Sequence, residues 1–303
     1  MRVGVIDLGT NTTRLLVARV EDGALEELDK RTTITRLGQG VDSSGRLADE
    51  AMDRVRATLA SYREAMDRLE VERVIAVATS AMRDAANGPA FSDELRERFG
   101  IDARTISGDE EARLTFLGAT AGRAARASTW VIDIGGGSTE YVVGSEAGKL
   151  DFHVSTQMGS VRHSERFLAG DPPRHEELEA LAADVRRVME ESVPADVRQR
   201  SAQGIAVAGT ATTLAAIDQQ LDPYDASKVH GYRLPLAACE RMQAMLAALQ
   251  LEERREVTGL HPDRAPTIVA GVTILVESIR AFGADEIEVS ENDILHGAAL
   301  AAA

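Results

Sequence analysis

The hydrophobic positions of the chain form short continuous runs that alternate with longer segments in which apolar residues recur every three or four positions. Short runs bounded by turn residues predict buried strands, here at residues 74–78, 204–208 and 287–289. Segments with charged residues between the apolar ones predict amphipathic helices, here at residues 47–69, 109–125, 176–193 and 264–282. Alternating strands and helices of this kind predict an α/β protein.

One nine-residue pattern occurs twice. Residues 5–13 read Val-Ile-Asp-Leu-Gly-Thr-Asn-Thr-Thr, and residues 131–139 read Val-Ile-Asp-Ile-Gly-Gly-Gly-Ser-Thr. Each copy predicts a buried strand, a tight turn at Asp-x-Gly and a second strand. The copies are separated by about the length of a domain, which predicts two related domains facing each other, covering residues 1–126 and 127–303. The sequence is also compatible with a C-terminal helix over residues 291–303 that returns to the first domain.

Composition and charge narrow the class of protein. The 303 residues are 44% hydrophobic and 27% charged, which is typical of a globular protein with two buried cores. The longest apolar stretch, near residues 268–276, is too short to span a membrane, and the start of the chain lacks a signal sequence. We therefore expect a cytoplasmic protein that does not act at a membrane. The single cysteine, Cys239, excludes an internal disulfide and a zinc module.

A formal charge of −15 argues against binding to nucleic acid polymers, which requires a basic surface. It does not exclude a small anionic substrate, because backbone amides, a metal ion and a few cations are enough to hold phosphate groups. An aspartate at a strand end can hold Mg²⁺ while glycines expose their amides to phosphate. A single Asp-x-Gly is equally typical of an Asx turn, but two copies favour phosphate binding.

Six motifs together resemble the exopolyphosphatase and guanosine pentaphosphate phosphatase family of the actin-like superfamily. In chain order they are Asp7-Leu-Gly-Thr-Asn-Thr12, Thr79-Ser-Ala-Met-Arg83, Ser107-Gly-Asp-Glu-Glu-Ala-Arg113, Asp133-Ile-Gly-Gly-Gly-Ser-Thr-Glu140, Gly209-Thr-Ala-Thr-Thr213 and Lys228-Val-His-Gly-Tyr-Arg233. The resemblance implies a duplicated actin-like (ribonuclease H-like) ATPase fold, with two domains flanking a phosphate-binding cleft.

The resemblance also implies catalytic and metal-binding residues. Glu111 corresponds to the general base that activates water, and Arg83 to an arginine that clamps phosphate. Asp133 and Glu140, with Asp7 on the opposite wall, correspond to ligands of Mg²⁺, with Mn²⁺ as the alternative ion. Without the resemblance, Glu110 and Glu111 are equally typical of acids that stabilise a helix N-terminus. Arg83 is then typical of a solvated surface side chain.

The predicted phosphate-binding residues come from both loops, from a helix start and from a basic cluster. They are Gly9, Thr10, Asn11, Thr12, Arg14, Gly135, Gly136, Gly137, Ser138, Gly209, Thr210, Lys228, His230 and Arg233. Arg14 takes the place of Glu140 in the first copy, which suggests that the copies diverged into a basic and an acidic side. The run at 209–213 is equally typical of an ordinary helix cap, and the cluster at 228–233 of a solvated surface.

We expect an exopolyphosphatase that removes terminal orthophosphate from inorganic polyphosphate. The alternatives are guanosine pentaphosphate 5′-phosphatase, an actin-like small-molecule kinase and a non-catalytic polyphosphate or nucleotide sensor. The chain stops where longer members of the family continue, so we expect short polyphosphates to be preferred; a homodimer is compatible with the sequence. Near the end, Asp293, Leu295 and His296 replace the Gly, Arg and Glu of the family pattern, and no catalytic role is assigned there.

Overall fold

Strands and helices alternate along the chain as the hydrophobic pattern predicts. The structure, a computed structural model, describes residues 1–21, 23–122, 128–146 and 149–302. It divides into two units, Met1–Ala121 with Asp293–Ala303 and Gly122–Asn292. The predicted boundary at residue 126 lies outside the described residues. The C-terminal helix belongs to the first unit. This arrangement is the predicted alternative to a single division of the chain at residue 126.

The first unit contains a mixed five-stranded sheet with strand order β3-β2-β1-β4-β5. Its strands are β1 (Arg2–Leu8), β2 (Thr12–Glu21), β3 (Ala24–Ile34), β4 (Arg73–Ala78) and β5 (Ala103–Thr105). Its helices are α1 (Val41–Ser44), α2 (Asp49–Arg68), α3 (Ser80–Asp84), α4 (Gly88–Phe99), α5 (Gly108–Thr120) and, from the end of the chain, α14 (Ile294–Ala301).

The second unit contains a six-stranded sheet with strand order β10-β11-β9-β6-β7-β8. Its strands are β6 (Thr129–Ile134), β7 (Thr139–Glu146), β8 (Lys149–Thr156), β9 (Gln203–Val207), β10 (Arg233–Pro235) and β11 (Glu286–Val289). Its helices are α6 (Ser160–Phe167), α7 (His175–Ser192), α8 (Ala195–Arg200), α9 (Ala208–Asp218), α10 (Ala226–Val229), α11 (Leu236–Ala248), α12 (Leu251–Arg255) and α13 (Ile268–Ala281).

The two sheets repeat one topology and one register. In each, a central strand pairs antiparallel with the strand that follows it and parallel with the next strand across a helical connection. Asp7 on β1 lies opposite Arg14 on β2, and Asp133 on β6 lies opposite Glu140 on β7. The predicted duplication is therefore present in the backbone.

The apolar runs are continuous because the central strands are buried on both faces. Ile6 and Leu8 pack on one side of the first sheet with residues of α2 and α4, whereas Val3 and Val5 pack on the other side with residues of α5 and α14. A strand that contacts helices on both faces needs apolar residues at successive positions rather than at alternate ones. Asp7 is a buried charged residue in β1, only 3% exposed, whereas the charged Arg2 at the start of the strand is partly exposed.

Some predicted boundaries were wrong. The helix predicted over 264–282 begins at Ile268, because Pro262–Arg264 form a 3₁₀ turn and Pro266 has no amide to donate. The helix predicted over 109–125 ends at Thr120, and part of the remainder lies outside the described residues. The strand predicted over 204–208 ends at Val207, since Ala208 opens α9. Across the described ranges, no helix is both long and apolar enough to cross a membrane.

Candidate active site

Glu111 and Arg83 come together in the first unit. Glu111 lies in the first turn of α5, where its amide donates to the carbonyl of the N-cap residue Ser107 at 3.0 Å. Arg83 lies in the last turn of α3, and its Nη1 contacts Glu111 Oε2 at 3.3 Å and the carbonyl oxygen of Ile106 at 3.0 Å. Glu111 is only 7% exposed, so this carboxylate and guanidinium interact in a partly desolvated setting.

The neighbouring Glu110 has a different environment. It is paired with Arg104 through two hydrogen bonds of 2.7 and 2.5 Å on the exposed side of α5. The hydrogen bonds from Arg104 lower the pKa of Glu110. Glu110 is thus held at the surface as a structural ion pair, whereas Glu111 is buried beside Arg83. Of the two glutamates, Glu111 is the one placed to act as a base.

The first loop, residues 9–12, turns with its carbonyl groups held by the protein. Gly9 donates its amide to the carbonyl of Thr12 at 2.9 Å, and a Cβ atom on Gly9 would lie 2.9 Å from the same oxygen. The carbonyls of Thr10 and Asn11 accept hydrogen bonds from amides in segment 35–38. Among the described residues, the amides of Thr10 and Asn11 donate to no acceptor. Unused amides of this kind are suited to binding an anion.

The second loop, residues 135–138, repeats this arrangement. Gly135 donates to the carbonyl of Ser138 at 3.0 Å, as Gly9 does in the first loop. The carbonyls of Gly135 and Gly136 accept from amides in segment 160–162, at the start of α6. Within the described part of the chain, the amides of Gly136 and Gly137 likewise donate a hydrogen bond to no protein acceptor. Both loops therefore use their carbonyls internally and leave amides for an anion.

Arg14 lies against two aspartates. Its Nε and Nη2 donate to Asp7 Oδ2 at 2.9 and 2.7 Å, and its Nη1 donates to Asp293 Oδ2. Burial raises the pKa of Asp7, and Arg14 offsets only part of this effect. Asp7 Oδ1 is buried and has no hydrogen-bond partner among the described residues. The prediction that Arg14 contacts phosphate stays a prediction; here its guanidinium neutralises the carboxylate of Asp7.

Asp133 and Glu140 are the buried acidic pair of the second unit. They lie opposite each other on β6 and β7 and are 7% and 1% exposed. Glu140 Oε1 accepts a hydrogen bond from Ser155 Oγ at 2.7 Å, which orients the carboxylate.

The donor set at these strands suits Mg²⁺, which prefers oxygen ligands and commonly takes one or two carboxylates, with water and substrate phosphates completing its coordination. The described residues contain no cluster of three or more His, Cys, Asp or Glu side chains that would hold an ion by themselves. Asp133 and Glu140 thus fit an ion shared with substrate. The assignment of Asp7 to the metal stays a prediction, and Arg14 donates two hydrogen bonds to one of its two oxygens.

The predicted helix start at Gly209 and Thr210 lies at the end of β9. Ala208 adopts a left-handed conformation with φ of 64°, which is uncommon for a residue other than glycine and marks a strained junction. Thr210 is buried. A Cβ atom on Gly209 would overlap the guanidinium of Arg264, so this cation packs directly on the backbone at the start of α9. A helix start beside an arginine is suited to an anion.

The predicted basic cluster is less positive than its sequence indicates. Lys228 lies 3.9 Å from Asp225, and Arg233 forms an ion pair with Glu286. Nδ1 of His230 accepts a hydrogen bond from the backbone amide of residue 291 at 3.2 Å. The side chains of Lys228 and Arg233 are about three-fifths exposed, so these ion pairs are weak. Guidance of substrate by this cluster stays a prediction.

Sequence reasoning missed three charged residues around these loops. Arg162, buried in α6, donates its Nε to the carbonyl of Gly137 at 2.7 Å and so supports the second loop. Arg264 packs on Gly209, and Asp293 pairs with Arg14. Arg162 and Arg264 carry no signal that distinguishes them from surface arginines. Asp293 does carry one, because it departs from the family pattern and begins a helix.

Known proteins resemble the chain along its length. The family model described as the Ppx/GppA phosphatase family matches residues 16–301. A protein named Exopolyphosphatase 2 from Mycobacterium tuberculosis is 38% identical over 316 residues, covering 100% of this chain and 98% of that protein.

Two solved structures are similar over the whole chain. The Ppx/GppA family member of Aquifex aeolicus is 31% identical with a TM-score of 0.84, covering 100% of this chain and 97% of its own. An exopolyphosphatase from Cytophaga hutchinsonii is 29% identical with a TM-score of 0.91, covering 100% and 98%. These matches show that the chain shares the fold of both proteins, and the repeated sheet topology confirms the predicted duplication. Together with the family model they show that the chain belongs to the Ppx/GppA phosphatase family.

Proposed function

We propose that the protein is an exopolyphosphatase that hydrolyses the terminal phosphoanhydride bond of inorganic polyphosphate and releases orthophosphate. The observation that carries the proposal is the contact between Glu111 and Arg83, a buried carboxylate 3.3 Å from a guanidinium. Phosphoanhydride hydrolysis needs an oriented water molecule and stabilisation of the charge on the transferred phosphoryl group. Glu111 accepts the proton of the attacking water, and Arg83 both orients Glu111 and stabilises the phosphoryl oxygens.

The two loops bind the phosphate groups. Each loop leaves amides of successive residues for an anion while its carbonyls are held from behind, so the amide dipoles are fixed before substrate binds. The start of α9, with Gly209, Thr210 and Arg264, holds further phosphates. Recognition of this kind depends on repeated phosphate groups rather than on a base or a sugar, which favours inorganic polyphosphate as the substrate.

Asp133 and Glu140, which lie opposite each other and are buried, would hold Mg²⁺, with Mn²⁺ as the alternative ion. When bound, such an ion neutralises phosphate oxygens and stabilises the charge that develops on them. Hydrogen bonds fix the orientation of two of the buried carboxylates. Ser155 donates to Glu140, and Arg14 donates to Asp7.

The names of similar proteins support the same substrate. The relative from Mycobacterium tuberculosis, named an exopolyphosphatase, covers the full chain at 38% identity. The preference for short polyphosphates remains an expectation, as do the alternative of guanosine pentaphosphate as substrate and that of a sensor without catalysis.

The test is to offer polyphosphates of several lengths and guanosine pentaphosphate side by side, with Mg²⁺, and to measure released orthophosphate. The proposal expects a higher kcat/KM on polyphosphate, and an Arg83→Ala variant that loses most of this activity. A higher kcat/KM on guanosine pentaphosphate would identify the alternative phosphatase. Binding of polyphosphate without release of phosphate would identify a sensor and overturn the proposal.

A further inference from the structure

The N-cap residue of α14, Asp293, is a charged residue that contacts Arg14 beside the first loop. We infer that Asp293 is a positioning residue for the phosphatase reaction: it anchors the guanidinium of Arg14, which in turn fixes the carboxylate of Asp7 beside the first loop. The inference rests on the proposed function, because it assigns Asp293 an effect on turnover through Asp7.

The contacts of Arg14 form a bridge between two carboxylates. Two of its nitrogens donate to the same oxygen of Asp7, and its third donates to Asp293. The side chains of Arg14, Asp7 and Asp293 are only 14%, 5% and 4% exposed. An arginine side chain paired with one carboxylate can still exchange rotamers, and a second anchor at the opposite end of the guanidinium removes this freedom. Asp7 is thereby held in one orientation.

The anchor itself is held rigidly. Asp293 Oδ1 accepts the amide of Leu295 at 3.0 Å and so caps α14. A Cβ atom on Gly118 of α5 would overlap the carbonyl oxygen of Asp293, and a Cβ atom on Gly297 would overlap the carbonyl oxygen of Leu114. The two helices therefore contact backbone to backbone. Because α5 also carries Glu111, one packed helix pair fixes both the candidate base and the anchor of Arg14.

The second unit shows that the bridge is not a requirement of the fold. Glu140 occupies the position that corresponds to Arg14, and it accepts a hydrogen bond from Ser155 on β8. The same topology and strand register form around this different arrangement. Buried ion pairs are also poor sources of stability, since desolvation offsets their attraction. We therefore assign the bridge to the position of Asp7 rather than to folding.

The first experiment compares Asp293→Asn with Glu94→Gln. Asparagine keeps the cap of α14 but not the charge that attracts Arg14. Glu94 is a matched control in the same unit, because it forms a two-hydrogen-bond pair with Arg56 on other helices. We expect kcat on polyphosphate to fall by roughly 10- to 100-fold in Asp293→Asn, with KM changed by less than about threefold. Glu94→Gln should keep the wild-type kcat.

A double-mutant cycle tests whether Asp293 acts through Arg14. Arg14→Lys keeps the charge but cannot contact both carboxylates in the same geometry. If the anchor is real, the variant carrying both substitutions is no slower than the slower single variant, because each removes the same bridge. Multiplied effects would mean that Asp293 acts independently, and a kcat within about twofold of wild type in Asp293→Asn would overturn the inference.

The rate at which the Arg14 Nε proton exchanges with water tests the anchor separately from activity. Nuclear magnetic resonance measures this rate in the absence of substrate. We expect exchange at least about tenfold faster in Asp293→Asn than in wild type, because the side chain gains freedom. Unchanged exchange would overturn the inference even if the protein proved to hydrolyse another substrate. A wild-type protein that releases no phosphate from polyphosphate would instead contradict the proposed function.

Discussion

Adjacent glutamates in the first turn of α5 differ in what surrounds them, and this difference predicts their roles. Glu111 is buried beside Arg83, whereas Glu110 is paired with Arg104 on the exposed side. We expect Glu111→Gln to lower kcat on polyphosphate by about 10² or more, the range typical of a lost general base. Glu110→Gln removes the same charge one residue away and should keep kcat within about twofold, because exposed ion pairs contribute little.

Steady-state rates of orthophosphate release measure both variants. Near wild-type turnover in Glu111→Gln would contradict the assignment of the base. Equal losses in the two variants would show that the charge at the start of the helix matters, rather than the position of one carboxylate.

The acidic pair of the second unit gives a second prediction for single residues. Asp133→Asn should abolish most activity and weaken Mg²⁺ binding by at least about tenfold, because a neutral amide is a poor ligand for this ion. Isothermal titration calorimetry with Mg²⁺ in saturating orthophosphate, which supplies the phosphate oxygens of a shared ion, measures binding apart from turnover. Asp151→Asn, an exposed carboxylate on β8 of the same sheet, is the control and should bind as wild type does. An unchanged Mg²⁺ titration in Asp133→Asn would place the ion elsewhere.

At the scale of elements, the contact between α5 and α14 has no room for a side chain. Gly118→Ala places a Cβ atom against the carbonyl oxygen of Asp293, which no rotamer change relieves. Alanine alone would favour the helix by about 1 kcal/mol. We nevertheless expect a loss of about 1–3 kcal/mol in the free energy of unfolding, because the helices must separate. Urea denaturation measures this loss.

Gly100→Ala is the control for the Gly118 prediction. Gly100 caps α4 with φ of 64° and has open space where a Cβ atom would lie. Its substitution costs about 1 kcal/mol through backbone strain but displaces no helix. We expect Gly118→Ala to lower kcat as well, since α14 carries Asp293, and Gly100→Ala to leave kcat unchanged. A Gly118→Ala protein as stable as wild type would show that the helix contact is loose.

The sequence predicted elements where the physical signal is local. The buried runs at β1 and β6 contact helices on both faces, and the glycines of both loops allow tight turns, so pattern and composition were sufficient. The start of α13 was placed too early because Arg264 and Ala265 look helical while a 3₁₀ turn and Pro266 delay the helix. The end of β9 was placed one residue late because the left-handed turn falls on an alanine.

The candidate site was predictable only in part, for a related reason. Glu111 and Arg83 stand in motifs, and the register that places Arg14 opposite Asp7 follows from a short hairpin. The bridge from Arg14 to Asp293 joins residues 279 positions apart and depends on how α14 packs against α5. Arg264 likewise reaches Gly209 through tertiary packing. Contacts of this kind depend on the folded backbone and leave no spacing in the sequence.

At the scale of the whole molecule, charge gives the last prediction. The protein carries a formal charge of −15, yet its proposed substrate is a polyanion, so only local cations can attract it. Lys228 and Arg233 are partly neutralised by Asp225 and Glu286. We therefore expect Lys228→Ala/Arg233→Ala to raise KM for polyphosphate by only about two- to threefold at low salt. This difference should vanish near 1 M salt, where the Debye length falls to about 3 Å.

The matched control for this prediction is Arg63→Ala/Arg68→Ala, which removes two exposed charges from α2 and changes the net charge equally. Local guidance predicts that KM rises only for the pair at 228 and 233, and more for long polyphosphates, because a longer chain contacts more cations at once. An equal rise for both double variants would show that net charge, rather than the cluster at 228–233, controls the approach of substrate. Initial rates at several ionic strengths and chain lengths distinguish these outcomes.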